Sequence, residues 1–356
     1  MNMIQDIYIS NFKPFLDKTV SLSPLTLLAG LNNSGKSSLI QAIRMLWKWN
    51  ESGDPTSPNH GSLNDMKNKS AARSASISMK LTFQNDDRLK FEADFNDPDN
   101  PKVSKPINAK LPYLSYVSAD RLGPRISLFL HTGIDELSHV GERGEFVIDF
   151  LSRHERDILP PLLRHPKAEG QTLEYNVRAW LEEISPSIDV KHSIDRNTDM
   201  SSFTIDSFRP TNSGFGLSYT MPVIVSLLGM SSMWEDDNNE KLKSERGSIV
   251  LLENPEAHLH PKGQTSIGKL IAYVAASGVQ VIVETHSEHV MDGIRIAVKD
   301  QKLKARDTKF HYFKREKSYE CSIETPMISS EGKLQYWPEG FFDQTLKNRA
   351  ILARKD

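Results

Sequence analysis

The sequence predicts an α/β fold built around one phosphate-binding strand–loop–helix unit. Three observations predict it. The run Gly30-Leu31-Asn32-Asn33-Ser34-Gly35-Lys36-Ser37 fits G-x-x-x-x-G-K-[ST], in which two glycines let backbone N–H groups turn inward on phosphates. Its flanks are those of a strand and a helix: Leu25–Ala29 is a short apolar run, and Ser38–Trp47 carries apolar residues at helical spacing. Two further apolar runs, Ser248–Leu252 and Val279–Val283, read as buried strands, each followed by a helical pattern, Gly263–Ala276 and Glu288–Val298.

The other elements follow in order. Met3–Ser10 partly alternates and reads as a strand, Asn11–Asp17 as a turn and Thr19–Leu22 as a second strand. Residues 50–73 are rich in Ser, Asn, Gly, Pro and charge, the composition of an exposed loop. Ser74–Phe83 and Leu89–Phe95 alternate around the turn-like Gln84–Asp87 and predict a hairpin. Residues 96–110 form a linker rich in Pro, Asn and Asp, and Tyr113–Ser118 is another strand. Residues 145–185 read as mostly helical, broken at Pro160 and Pro161. Residues 188–207 alternate weakly. A helix is expected from Tyr219 to Met230, a charged exposed loop over 233–246, and a late hairpin from Lys309–Phe313 and Tyr319–Ile323.

At 356 residues the chain suits one large domain or two moderate ones. The net charge of −2 gives no global basic signal, so any nucleic-acid footprint is local. Cys321 is the only cysteine, which excludes an intramolecular disulfide and a four-cysteine metal site and fits a reducing cytoplasm. No apolar run reaches membrane-spanning length, and no basic stretch followed by an apolar one opens the chain. The expectation is a cytoplasmic protein without a membrane segment.

The chemistry centres on the phosphate loop. Lys36 is expected to reach the β/γ-phosphates and the Ser37 hydroxyl to ligate Mg²⁺. Gly30, Asn32, Asn33, Ser34, Gly35 and Ser38 complete the cradle at a helix N-terminus. Such a loop needs a partner carboxylate for Mg²⁺; Glu253, closing an apolar strand, supplies one. His286, at the end of the next strand, would sit beside the γ-phosphate if the two strands are neighbours. ATP and Mg²⁺ are the implied cofactors. His258, His260, His286 and His289 match no usual zinc spacing.

Gly30–Ser37, the run Glu253-Asn254-Pro255-Glu256-Ala257-His258-Leu259-His260-Pro261 and Glu284-Thr285-His286-Ser287 together resemble the ABC-type ATPase heads of the SMC/RecF/OLD group. Within that group the chain is similar to a bacterial branch of stand-alone AAA-domain ATPases, through Ile7–Phe12, Ser118–Arg125, Val140–Glu145 and Trp337–Gln344. The resemblance implies a P-loop head with a mixed sheet, an antiparallel β subdomain and a helical lobe insertion. The expected division is lobe I over 1–130, a helical lobe II over 131–246, lobe I continued over 247–325 and a tail over 326–356. It also implies a signature loop that closes over a partner's ATP, with Ser213, Gly214 and Gly216 of Asn212–Ser218 as the candidates. The D-loop would fall on His258–Pro261 and the switch histidine on His286. Gln84, Asp120, Arg121 and Arg125 are the alternatives for the Q-loop.

One departure bears on mechanism. ABC heads usually read Asp-Glu-Pro here, the second acid polarising the attacking water. This chain reads Glu253-Asn254-Pro255, so the base position holds an amide, and Glu256 or His286 is left to support slow turnover. The alternative is a clamp in which ATP binding sets the state. The resemblance implies a homodimer or heterodimer of heads and a switch or sensor controlling an effector encoded nearby, in anti-phage defence or DNA maintenance. A basic stretch carrying Lys302, Lys304, Arg306, Lys314 and Arg315, interleaved with Phe310, Tyr312 and Phe313, reads either as a DNA phosphate contact or as a solvated helix end before a half-buried strand. A transporter ATPase and an ATP-dependent nuclease are the other readings; the chain has no evident nuclease module.

Overall fold

Alternation of buried and half-buried residues sets the first sheet. In the computed structural model, β1 (Ile4–Phe12) and β2 (Phe15–Ser21) form an antiparallel hairpin. Its turn, Lys13–Pro14, places Asn11 and Lys13 at positive φ. The structure describes residues 3–56, 61–97, 99–133, 137–186, 188–232, 246–316 and 320–353. The chain divides into two compact units. A terminal unit comprises Asn2–Leu111, Lys309–Met327 and Leu334–Asp356; a central unit comprises Pro112–Thr308 and Ile328–Lys333 with Met1.

In the terminal unit, β3 (Leu25–Gly30) leads through the glycine loop into α1 (Lys36–Ser52). Helix α1 ends at Gly53, whose N–H caps Trp49 O. Trp49 is fully buried, edge-on to Phe91 at 5.5 Å, and its indole donates to Ser104 O at 2.9 Å. Truncating such a residue to alanine costs roughly 3–5 kcal/mol. After α2 (Leu63–Met66) come β4 (Ile77–Phe83), β5 (Arg88–Asp94) and β6 (Lys102–Val103), completing an antiparallel sheet in the order β2-β1-β4-β5-β6.

Two expectations are corrected here. Residues 50–73 are not a simple exposed loop: α1 extends into them, and Leu63, Met66, Lys67 and Asn68 are buried. Lys13 N–H donates to Met66 O and Asn68 N–H to Asn11 O, while Asn68 Nδ2 donates to Lys13 O. The polar composition that reads as loop satisfies the strained β1–β2 turn instead. Residues 57–60 of that stretch lie outside the described residues. The 96–110 linker likewise contributes β6, paired with β5.

The central unit holds β7 (Tyr113–Val117), β8 (Leu128–Phe129), α3 (Val147–His154), α4 (Leu173–Ile184), β9 (Val190–Asp195), β10 (Met200–Ile205) and α5 (Phe215–Gly229). It continues with β11 (Ser248–Glu253), α6 (Pro261–Ala276), β12 (Gln280–Glu284) and α7 (Glu288–Lys299). Strands β7, β11 and β12 are parallel, in that order, with Glu253 in register with Glu284. Strands β8, β10 and β9 form a small antiparallel sheet. Helices α6 and α7 touch backbone to backbone, since a Cβ on Gly268 would stand 2.2 Å from Val290 O. The expected charged loop over 233–246 lies, but for Arg246, outside the described residues.

The chain returns to the terminal unit with β13 (Thr308–Arg315), β14 (Cys321–Glu324) and α8 (Gln344–Leu352). Strand β13 lies between β14 and β3. The late hairpin is there, with residues 317–319 outside the described set. His311 on β13 is buried; its Nε2–H donates to Ser21 O and its Nδ1 accepts from Thr325 Oγ1, both at 2.7 Å. Burial pushes its pKa down to about 4. The folded value thus lies below the unfolded one, so the unfolded chain binds the extra proton between them. Stability is expected to fall by about 1.4 kcal/mol per pH unit from roughly pH 6.5 toward pH 4. Urea midpoints across that range should show this slope in the wild type and a flatter one in His311→Gln.

Candidate functional site

The phosphate loop belongs to the terminal unit. Gly30 has φ 142°, and a Cβ there would stand 2.2 Å from Phe313 O, so only glycine lets β13 pass. Asn33 (φ 62°) and Gly35 (φ 114°) turn the chain into α1. Leu31, Asn32, Asn33 and Ser37 are exposed and Ser38 is half-buried. Ser34 is buried, and its Oγ has no hydrogen-bond partner. Lys36 is buried too, with its ammonium donating to Gly30 O and Leu31 O at 2.9 Å each. The loop thus holds its cation against its own carbonyls.

A cleft of about 430 Å³ adjoins this loop within the same unit. Asn33 and Ser38 line it together with Lys13, Lys67, Lys69 and Arg315, against one acid, Asp65. Burial holds the Lys13 ammonium below the usual lysine range. Sequence reasoning missed this cleft because its cations come from three separate stretches, each of ordinary composition. The Asn11–Pro14 turn was the one local signal.

The acid corner belongs to the central unit, at the carboxyl ends of β11 and β12. Glu253 is half-buried, and its Oε2 accepts from Ala119 N–H at 3.4 Å. Asn254 takes φ 46°. Its N–H donates to Glu284 O at 2.9 Å, and its carbonyl accepts from Arg121 Nη2 at 2.6 Å. Its Oδ1 is buried without a hydrogen-bond partner. Glu256 Oε1 accepts from His286 N–H at 2.8 Å, while Oε2 is buried and unpartnered. The His286 side chain is exposed. Ser287 caps α7 by accepting from His289 N–H and Val290 N–H.

The signature-like loop also lies in the central unit, with one correction. Helix α5 begins at Phe215, not Tyr219, so Gly216 and Ser218 sit inside its first turn and only Asn212, Ser213 and Gly214 of the loop precede it. The apolar run from Met221 hides the start, since Phe215–Thr220 resembles a glycine turn by composition. Phe215 stacks on His258 at 5.8 Å, and Tyr219 meets the same ring edge-on at 4.6 Å. His260 is exposed at the N-cap of α6. Among the described residues, no group of three or more His, Cys, Asp or Glu is gathered as if to hold a metal ion.

Of the Q-loop alternatives, Gln84 is exposed in the β4–β5 turn, Arg125 is exposed, and Asp120 pairs with Arg143 at 3.2 Å. Arg121 alone reaches the acid corner. In the basic stretch, Phe310, Tyr312 and Phe313 are buried core residues, in keeping with the alternative of a strand that follows a solvated helix end. Lys314 is bonded to Glu324, whereas Lys302, Lys304 and Arg306 are exposed in the central unit and Arg315 in the terminal one.

These elements define an α/β P-loop ATPase head with a mixed sheet and separate antiparallel sheets, the fold of Smc heads. The chain belongs to the family described as AAA domain, putative AbiEii toxin, Type IV TA system, whose model matches residues 25–292. Residues 303–352 match a protein family of unknown function, DUF3696. Among solved structures, an Smc head bound to the C-winged helix domain of ScpA aligns with TM-score 0.55 and 12% identity, over 91% of this chain and 98% of that one. An Smc head with an extended coiled coil, bound to the C-terminal domain of ScpA and derived from Pyrococcus furiosus, aligns with TM-score 0.56 and 11% identity, over 99% and 100%. At such identities the likeness is one of fold. No curated protein matches the chain. No helix among the described residues is long and apolar enough to cross a membrane.

The glycines of the site differ in a measurable way. Gly30→Ala should destabilise the fold by at least about 1–3 kcal/mol, because its Cβ collides with a strand carbonyl. Gly214→Ala, whose Cβ meets nothing within 4 Å, should stay within roughly 0.5 kcal/mol of wild type. Urea denaturation of the two variants checks both.

Proposed function

We propose that this chain is a slow ATP-hydrolysing head that pairs with a second head around ATP and switches a partner effector. Gly30, Asn32, Asn33, Ser34, Gly35, Lys36 and Ser38 cradle the phosphates, and Ser37 and Glu253 hold Mg²⁺. Hard oxygen donors of this kind fit that ion, which would neutralise charge developing on the transferred phosphoryl group. Ser213, Gly214 and Gly216 act on the partner's nucleotide, and His286 serves as the γ-phosphate sensor. The lobe division at about residues 130, 246 and 325 belongs to the same reading. Support comes from each unit taken by itself and from the family match; the family's description names a toxin system, and the Smc heads of similar fold are bound to ScpA.

The observation that carries the mechanism is the pair of buried, unpartnered acceptors at the acid corner, Asn254 Oδ1 and Glu256 Oε2. An unpaired buried acceptor is costly, and a water donating to both would remove the cost. Asn254 orients that water, and Glu256, anchored through Oε1 by His286 N–H, takes its proton. Glu256→Gln should lower turnover by about 10²–10⁴-fold with ATP still bound, and Asn254→Ala by less. Phosphate release and fluorescent-nucleotide titration test this together; unchanged turnover in Glu256→Gln removes the base assignment.

Pairing is tested by light scattering. Wild-type protein, alone or with a partner head, should shift from monomer to dimer with a slowly hydrolysed ATP analogue, and Lys36→Ala should not. A DNA contact would use the exposed Lys302, Lys304, Arg306 and Arg315, with Lys314 engaged by Glu324. Binding through them should weaken steeply as salt rises, and a flat salt response in an anisotropy titration rules the contact out.

A further inference from the structure

We propose that Arg121 is the positioning residue of the acid corner and that it ties the corner's geometry to the first turn of α5. The proposal rests on the ATPase reading above for its consequence, but not for its geometry.

Arg121 is 1% exposed, so it is placed to hold backbone and not to touch a ligand. Its Nη1 donates to Ser118 O at 3.0 Å and Glu253 O at 2.8 Å, and its Nη2 to Asn254 O at 2.6 Å. One planar fork therefore fixes the exits of two adjacent parallel strands, β7 and β11. A lysine, a point charge on a flexible stem, cannot reproduce three such bonds. Burial draws the guanidinium pKa down to about 10, and the charges of Glu256 and Glu253 oppose that, so it stays cationic at neutral pH.

The consequence falls on Asn254. Its positive φ is a conformation few residues other than glycine adopt, and two bonds hold it there: Arg121 on its carbonyl and Glu284 O on its N–H. The direction of the unpartnered Oδ1 follows from that backbone. Loosening the fork releases the Asn254 turn and scatters the two acceptors proposed to share a water.

The link to α5 is equally direct. The Arg121 guanidinium lies 5.6 Å from the centre of the Tyr219 ring. Tyr219 and Phe215 also clasp His258, and a Cβ on Gly216 would stand 3.2 Å from His258 O. Across the same turn, a Cβ on Gly123 would stand 3.3 Å from Phe215 and 3.9 Å from Tyr219. The first turn of α5 is thus packed on both flanks of the corner, the 118–123 loop and the 254–258 turn. Close-packed contacts of this kind transmit displacement. The Arg121 Nε–H is buried without a hydrogen-bond partner, which favours any rearrangement that supplies an acceptor. A ligand that moves the Ser213–Gly216 loop would therefore reset the acceptors at Asn254 and Glu256 of the same chain.

The test is hydrogen–deuterium exchange on the full chain, read at the peptide spanning residues 252–260, beside ATP turnover. Arg121→Lys should speed exchange there by about tenfold while α6 peptides keep wild-type rates, and should lower kcat with KM within about threefold. Tyr219→Leu, which leaves the three carbonyl bonds in place, should act in the same direction but less, and it decides the matter if Arg121→Lys does not fold. Wild-type exchange at 252–260 in the folded variants overturns the proposal, as does uniform acceleration that includes α6, which marks a merely structural role. Variants that show the exchange response while the wild type never hydrolyses ATP would sink the ATPase reading and leave Arg121 as the positioning residue.

Discussion

The carboxyl ends of parallel strands leave carbonyls and N–H groups that the ladder no longer pairs, and the central unit is organised by how it satisfies them. At β7 and β11 the acceptors Ser118 O, Glu253 O and Asn254 O converge on one buried guanidinium. At β12 the carbonyl of Glu284 takes the N–H of Asn254. Each of these groups, left unmade in a buried setting, would cost about 1–3 kcal/mol. Satisfying them in this way forces the left-handed turn at Asn254, and that turn aims the side chains that follow. Chemistry at this corner is thus downstream of a backbone problem.

The amide at position 254 gains its meaning from that setting. An asparagine and a glutamate differ in charge, in length by one methylene and in the donors that only the amide has, and in a buried turn each difference counts. A third carboxylate beside Glu253 and Glu256 would add a third negative charge around Arg121, whereas the amide adds none. Asn also tolerates φ 46° better than Glu. Two residues on, Glu256 has its Oε1 fixed by a backbone N–H and its Oε2 buried without a partner, the arrangement on which its proposed role as base rests.

Much of this architecture was legible in the sequence because it is local. The glycine loop, the apolar runs at 248–252 and 279–283 and the helices after them each announce themselves within a dozen residues, and the SMC-like resemblance follows from three such runs. What was not legible depends on partners far apart in the chain. Lys67 and Asn68 look like loop residues until the Asn11–Lys13 turn is seen to need them. Arg121 was one of four alternatives until its three carbonyls appeared, since no periodicity encodes a guanidinium donating to main chain more than a hundred residues on. Helix α5 starts four residues before the expected Tyr219, where Phe215, read as part of a glycine turn, has His258 to pack on.

The close passage of β13 over Gly30 bears on where this protein's modular boundaries lie. The AAA-family match runs from residue 25 to 292, which would make β1, β2 and β13 accessory to the matched region. Yet the phosphate loop leaves β3 where the Phe313 carbonyl leans against Gly30, and Cys321 packs within 3.4 Å of a Cβ position on Gly35. The segment matched to DUF3696 thus supplies one wall of the loop that the family match is centred on. A fragment cut at residue 292 would expose the β13-facing edge of β3, a template for aggregation. Within the terminal unit, β3 with its loop and β13 are neighbours in one sheet, so the boundary between the two matched regions is not a boundary of structure there.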